Sequence, residues 1–246
     1  MYLQTLVNYI EKDALPFMKN KPKDQFLEAF VKVWDNYTMF AKLLDKMFDY
    51  LNRYFLKNQS MSSLGMTALK KFNEIFYPDI KKNLKEVLLN QISKDRSGDA
   101  VNRLVMKRVI QCYVDMGLAG AKTMKVDAGF IWQGDKKLDT YEQEFEQHYL
   151  TFSREEFEKK ANLWISTLSC PEYLNEVDKA LRKEEENAIY WLQPETSNKL
   201  FMRVESELIG KKAEALVEKA TGCDYMFTHS RLDELALMYK IFKRDV

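Results

Sequence analysis

The sequence is poor in the residues that punctuate a chain. Its 246 residues include eight glycines and five prolines, too few for the turns that a β-sandwich or barrel of this length needs. Cysteine is also scarce. Cys112, Cys170 and Cys223 are isolated and odd in number, which argues against a disulfide framework, and no pair has the spacing of zinc ligands. Such cysteines suit a reducing, intracellular compartment, so the cytoplasm or nucleus is expected. A charge excess is missing as well: 38 basic against 37 acidic residues leave a net +1, without the surplus of a dedicated nucleic-acid binder. No window approaches the ~18 apolar residues of a membrane-crossing helix. The opening "MYLQTLVNYIEKD" lacks the basic start and unbroken apolar run of a signal peptide. Gly117, Gly120, Gly129 and Gly134 form no phosphate-binding pattern. The two histidines, His148 and His229, are tied to no nucleophile, and Cys223 with His229 falls short of a zinc site. No catalytic residue, cofactor site or metal site is expected, and no enzymatic activity.

What is present is helical pattern. Hydrophobic residues make up 46% and charged residues 30%, a globular balance that argues against disorder. Twelve methionines and abundant Leu, Lys and Glu favour helix. The densest stretch is "WDNYTMFAKLLDKMFDYLNRYF", residues 34–55. Trp34, Tyr37, Ala41, Leu44, Phe48, Leu51 and Phe55 recur at spacings of three and four, one face of a helix. Phe40, Met47 and Tyr54 widen that face, as suits a helix pressed between several neighbours. These aromatics are therefore expected in the core, Trp34 and Phe48 among them. The acidic run "KEEEN", residues 183–187, reads as a solvated helix face. So do Lys57, Lys70, Lys71, Lys81 and Lys82.

About ten helices and no strand are predicted. The first spans residues 2 to about 19. Asp24 is a candidate cap for a long helix reaching about Phe55, and Ser60 to Ser63 offer caps for the next. Pro78 in "FYPD" predicts a helix end at Tyr77 and a new start. Asp99 is expected to cap a helix over about 101–116. Residues 117–138 hold four glycines and no periodicity, and predict a loop. "SREE", residues 153–156, matches a capping box. Pro171 and Pro194 open further helices, the latter reaching about Ala220. "TGCDYMFTHS" reads as a loop before a final helix.

Several of these segments together resemble the cullins. Trp34-x-x-Tyr37 followed by "YLNRYF" resembles the family's first repeat. "ISKDRSGDAVNR", "VIQCYVDMGL", "YEQEFEQHYLTFSREEF", "PEYLNEVDKALRKEE" and "LALMYKIFKR" continue the likeness in cullin order. The resemblance implies an all-α fold, an elongated stack of cullin-repeat bundles. Its implied division is residues 1–117 as a first repeat lacking its first helices, 118–138 as a connecting loop and 139–246 as a second repeat. It implies a non-catalytic scaffold, the N-terminal stalk of a cullin–RING ubiquitin ligase, most like the class that binds Skp-type adaptors. Expected partners are a Skp-type or BTB-type adaptor with its substrate receptor. A RING protein would be reached only through a C-terminal half that lies beyond these residues. A monomer is expected, with no nucleic-acid or membrane partner.

By the same resemblance, the adaptor surface uses two helices of the first repeat, the earlier of which would precede Met1. The later one is placed at "FYPDIKKN". Phe76, Tyr77, Pro78, Asp79 and Lys81 are thus the candidate adaptor-binding residues, with Tyr77 as anchor. With the preceding helices restored, Tyr77→Ala is expected to weaken binding without loss of stability, while residues 1–246 alone are expected to bind an adaptor weakly or not at all. The same residues also read as a plain helix junction with Phe76 in the core. An unrelated helical tethering module and a nucleic-acid-binding helical domain are the alternative functions.

Overall fold

A computed structural model describes residues 2–56, 61–117, 122–126, 129–133 and 138–244. The chain divides into two compact units, Met1–Phe145 and Glu146–Val246.

The first unit is built on α3 (Phe26–Met47). Before it come α1 (Tyr2–Tyr9), a π turn (Ile10–Ala14) and α2 (Leu15–Lys19), one helical run with Ile10 and Met18 fully buried. After it come α4 (Leu64–Lys71), a π turn (Phe72–Phe76) and α5 (Tyr77–Ser97), then α6 (Arg103–Gly117). α3 packs against α4, α5 and α6. Its buried stripe of Phe30, Val33, Trp34, Tyr37, Ala41 and Leu44 recurs every three or four residues. The Trp34 ring meets Phe72 edge-on at 5.4 Å. Tyr37 donates to the Ala68 carbonyl at 2.9 Å, so its hydroxyl is satisfied inside the core. Arg108 of α6 binds both Asp35 and Asp115.

The expected boundaries differ in instructive ways. α3 starts at Phe26 without a side-chain cap from Asp24, and ends at Met47 because Phe48 leaves helical geometry (φ −104°, ψ 28°). Ser63 does cap α4, accepting from the Met66 N–H at 3.2 Å. Ser60 lies outside the described residues. Pro78 does not end a helix. The π turn just before it absorbs one extra residue, and Tyr77 stays helical (φ −62°, ψ −43°). Gly98 in the left-handed region (φ 91°) closes α5. Asn102, not Asp99, caps α6, accepting from the Val105 N–H at 3.2 Å. The segment 118–138, expected as a loop, contains two strands, β1 (Lys122–Val126) and β2 (Gly129–Gln133). They pair antiparallel from Lys122↔Gln133 to Val126↔Gly129. The second run is rich in aromatic and β-branched residues. Apart from this strand pair the described residues form helices and their connections.

α7 (Asp139–Tyr141) closes the first unit against α6. The second unit is a bundle of α8 (Gln147–Thr167), α9 (Cys170–Trp191) and α10 (Pro194–Leu208), followed by the short α11 (Ala213–Val217) and α12 (Cys223–Thr228) and by α13 (Leu232–Phe242). Tyr149, Phe157, Tyr173, Val177, Leu200 and Val204 fill its core. Tyr173 donates to the Leu208 carbonyl at 2.7 Å. "SREE" starts no helix: Ser153 lies fully buried inside α8. The working capping box is Ser169 with Glu172, whose carboxylate accepts the Ser169 N–H at 2.9 Å and hydroxyl at 2.7 Å. "KEEEN" is not wholly solvated, since Glu184 is buried and Glu185 pairs with Arg244. α10 stops at Leu208, well before Ala220, and α12 occupies part of the expected loop.

Candidate protein-interaction surface

The first-unit helix α3 has a second apolar face. Met39, Leu43 and Met47 follow one another at four-residue spacing, all exposed, opposite the stripe that Trp34 and Tyr37 bury. Beyond the break at Phe48 the helical path resumes and ends in a π turn, Leu51–Leu56. Tyr50 and Tyr54 extend the exposed line, their rings 4.6 Å apart. Exposure is 76% at Met47, 78% at Tyr50 and 60% at Tyr54. Phe40, Phe48, Leu51 and Phe55 flank the line, also exposed. Scattered apolar side chains on a surface need no explanation, but a continuous run of large ones does. The expectation of a core role therefore holds for Trp34, Tyr37, Ala41 and Leu44, and fails for Phe48, Leu51 and Phe55, which are exposed. Apolar spacing marks a face that prefers to leave water and does not name what covers it.

A polar node sits beneath this surface. Asp45, 2% exposed, accepts from the Gly65 N–H at 2.8 Å, from Ser63 Oγ at 3.1 Å and from Asn52 Nδ2 at 3.2 Å. Asn52 Oδ1 in turn accepts the Leu64 N–H at 3.2 Å. The first turn of α4 thus receives its missing acceptors from α3 and from the segment after the break. Gly65 is required: a Cβ there would lie 2.5 Å from both the Ala41 carbonyl oxygen and the Asp45 carboxylate. Sequence reasoning missed this node, because its members lie in three separate elements.

The five residues expected to bind an adaptor do not form one surface. Phe76 is fully buried, its ring 4.3 Å from Phe72. Tyr77 is 8% exposed, meets Tyr113 edge-on at 6.3 Å and donates to Glu144 at 3.3 Å. Burial pushes its phenol well above the usual range, and Tyr113 and the Glu144 carboxylate add to that. Pro78, Asp79 and Lys81 are exposed. Asp79 is paired with Lys19 at 2.8 Å and Lys81 with Glu144 at 3.5 Å.

The cullin alpha solenoid domain matches residues 2–245. The chain belongs to the cullin family. It is 27% identical over 237 residues to Cullin-2 of Arabidopsis thaliana, covering 96% of this chain and 30% of that protein. To Cullin-1 of Oryza sativa subsp. japonica it is 29% identical, covering 99% of this chain and 30% of that one. Putative cullin-like protein 2 of Arabidopsis thaliana is 25% identical, with 98% of this chain and 61% of the relative covered. The chain thus spans about a third of the length of these two cullins.

In this cullin-family chain both histidines are exposed, His229 stacked on Tyr225. No group of three metal-ligating side chains occurs among the described residues. Burial raises the thiols of Cys112 and Cys170, the latter to about 11. No described helix is long and apolar enough to cross a membrane.

Proposed function

We propose that this chain is a non-catalytic scaffold within a cullin–RING ubiquitin ligase, and that the exposed face of α3 and residues 48–56 docks an adaptor that carries a substrate receptor. The observation that carries this is the run of exposed Met39, Leu43 and Met47 on the outer face of α3, whose other face is core, followed past the break by exposed Tyr50 and Tyr54. Tyrosines with a large apolar ring and a hydrogen-bonding tip are favoured anchors in protein interfaces. The adaptor is of the Skp type, the class that the first-repeat resemblance suggests. A specific interface buries about 1,200–2,000 Å² in total, so this face supplies part of the surface and a further helix of the first repeat the rest. The repeats are assigned to residues 1–117 and 139–246, and the working compartment is the cytoplasm or nucleus.

Pro78, Asp79 and Lys81 are exposed and form a secondary candidate. Their charges already have partners, and such surface pairs leave little binding energy. Capture of purified Skp-type and BTB-type adaptors on immobilised chain, extended to carry both first-repeat helices, separates the two surfaces. Loss of capture with Tyr50→Ala/Tyr54→Ala and its retention with Pro78→Ala/Asp79→Ala supports the aromatic face; the reverse pattern moves the site to the α5 start. Capture of a BTB-type adaptor alone contradicts the Skp assignment.

A further inference from the structure

Of residues 48–56, which carry half of the proposed docking face, only Leu56 is buried. Apolar packing therefore does little to hold this segment in place. Hydrogen bonds to the node hold it instead. Asn52 Nδ2 donates to the Asp45 carboxylate at 3.2 Å and to the Asp45 carbonyl at 3.3 Å, while Asn52 Oδ1 accepts the Leu64 N–H. The backbone adds a bond from the Asn52 N–H to the Phe48 carbonyl at 2.9 Å, across the break in α3. Asp45 is itself fixed by Ser63 and by Gly65, where no larger residue fits.

We infer that the Asp45–Asn52 pair is a positioning device for partner binding: it sets the break at Phe48 so that Tyr50 and Tyr54 continue the exposed line of Met39, Leu43 and Met47. The inference rests on the docking reading above. Neither residue needs to touch the partner. Asp45 is buried, and Asn52 spends its side chain on the node. A segment set in its bound geometry costs less ordering on association than a loose one.

Two measurements test this. The first is hydrogen exchange of amides 48–56, which needs no partner. Asn52→Asp sets two carboxylates against each other and is expected to speed exchange there by about tenfold or more, leaving α9 unchanged. The second is adaptor affinity. Asn52→Asp is expected to weaken it about tenfold, and Asn52→Ala, which removes the donor without adding a charge, to weaken it about threefold or more. Unchanged exchange in Asn52→Asp overturns the inference whether or not any adaptor binds. Faster exchange with unchanged affinity overturns the positioning role while leaving the docking face standing. If Asn52→Asp unfolds globally, Asn52→Ala is read in its place: faster exchange at 48–56 with weaker binding supports the inference, and unchanged exchange or unchanged affinity overturns it. If the wild-type chain extended to carry both first-repeat helices binds no adaptor, the docking reading fails, and with it the role in binding, whatever the exchange shows.

Discussion

Trp34 and Phe48 belong to one periodic pattern in the sequence, yet they meet opposite environments. Trp34 is 1% exposed against Phe72, and Phe48 is 43% exposed at the end of α3. Trp34→Ala is expected to cost about 3–5 kcal/mol, the transfer and cavity cost of a large buried ring. Phe48→Ala is expected to cost less than about 1 kcal/mol, as surface changes do. Denaturant unfolding of both variants checks the contrast, and equal losses would mean that Phe48 is packed. Tyr77 reverses the expectation placed on it. Its ring lies in the core and its hydroxyl on Glu144, so Tyr77→Ala is expected to lose about 3–5 kcal/mol of stability. Thermal melting decides this, and an unchanged midpoint would show the tyrosine to be free at the surface. The sequence could not separate these cases, because an apolar residue at helical spacing is equally consistent with core and with a docking face.

The helices themselves were legible, for the reasons that make helices form: sustained three-and-four spacing, few glycines, and prolines at the starts of α9 and α10. Their joints were less so. The Ser-x-x-Glu form of the capping box occurs twice, at Ser153 and at Ser169, and only tertiary packing makes the second a helix start and buries the first in α8. The π turn before Pro78 turns an expected break into a continuous run. The strand pair, β1 and β2, escaped because both strands are short and glycines flank them. At the Ser169 cap, hydrogen bonds from the Ser169 hydroxyl and then its N–H hold the Glu172 carboxyl below the usual carboxylate range. A depressed carboxyl stabilises the fold fully above its unfolded value, and loses that contribution as pH falls through its folded value. The gap in melting temperature between wild type and Glu172→Gln is therefore expected to be present at pH 7 and to close as the pH falls below the ordinary carboxylate range. A gap unchanged by acid would show that the charge contributes nothing to the cap.

For the chain as a unit of function, the cullin likeness could be read from dispersed segments such as "YLNRYF" and "VIQCYVDMGL" in order, and the alpha solenoid match over residues 2–245 agrees with it. The place of the candidate site was not readable in the same way. It depends on which apolar faces the fold leaves uncovered, and on a node that joins α3, residues 48–56 and the start of α4. The most direct measurement is calorimetric titration of a Skp-type adaptor into the wild-type chain extended to carry both first-repeat helices of the implied adaptor surface, and into the same chain with Tyr50→Ala/Tyr54→Ala. The account expects binding by wild type, and at least about a tenfold rise in Kd for the variant, equivalent to about 1.4 kcal/mol, at an unchanged melting temperature. Equal affinity for the two proteins, or no binding by wild type, would contradict it.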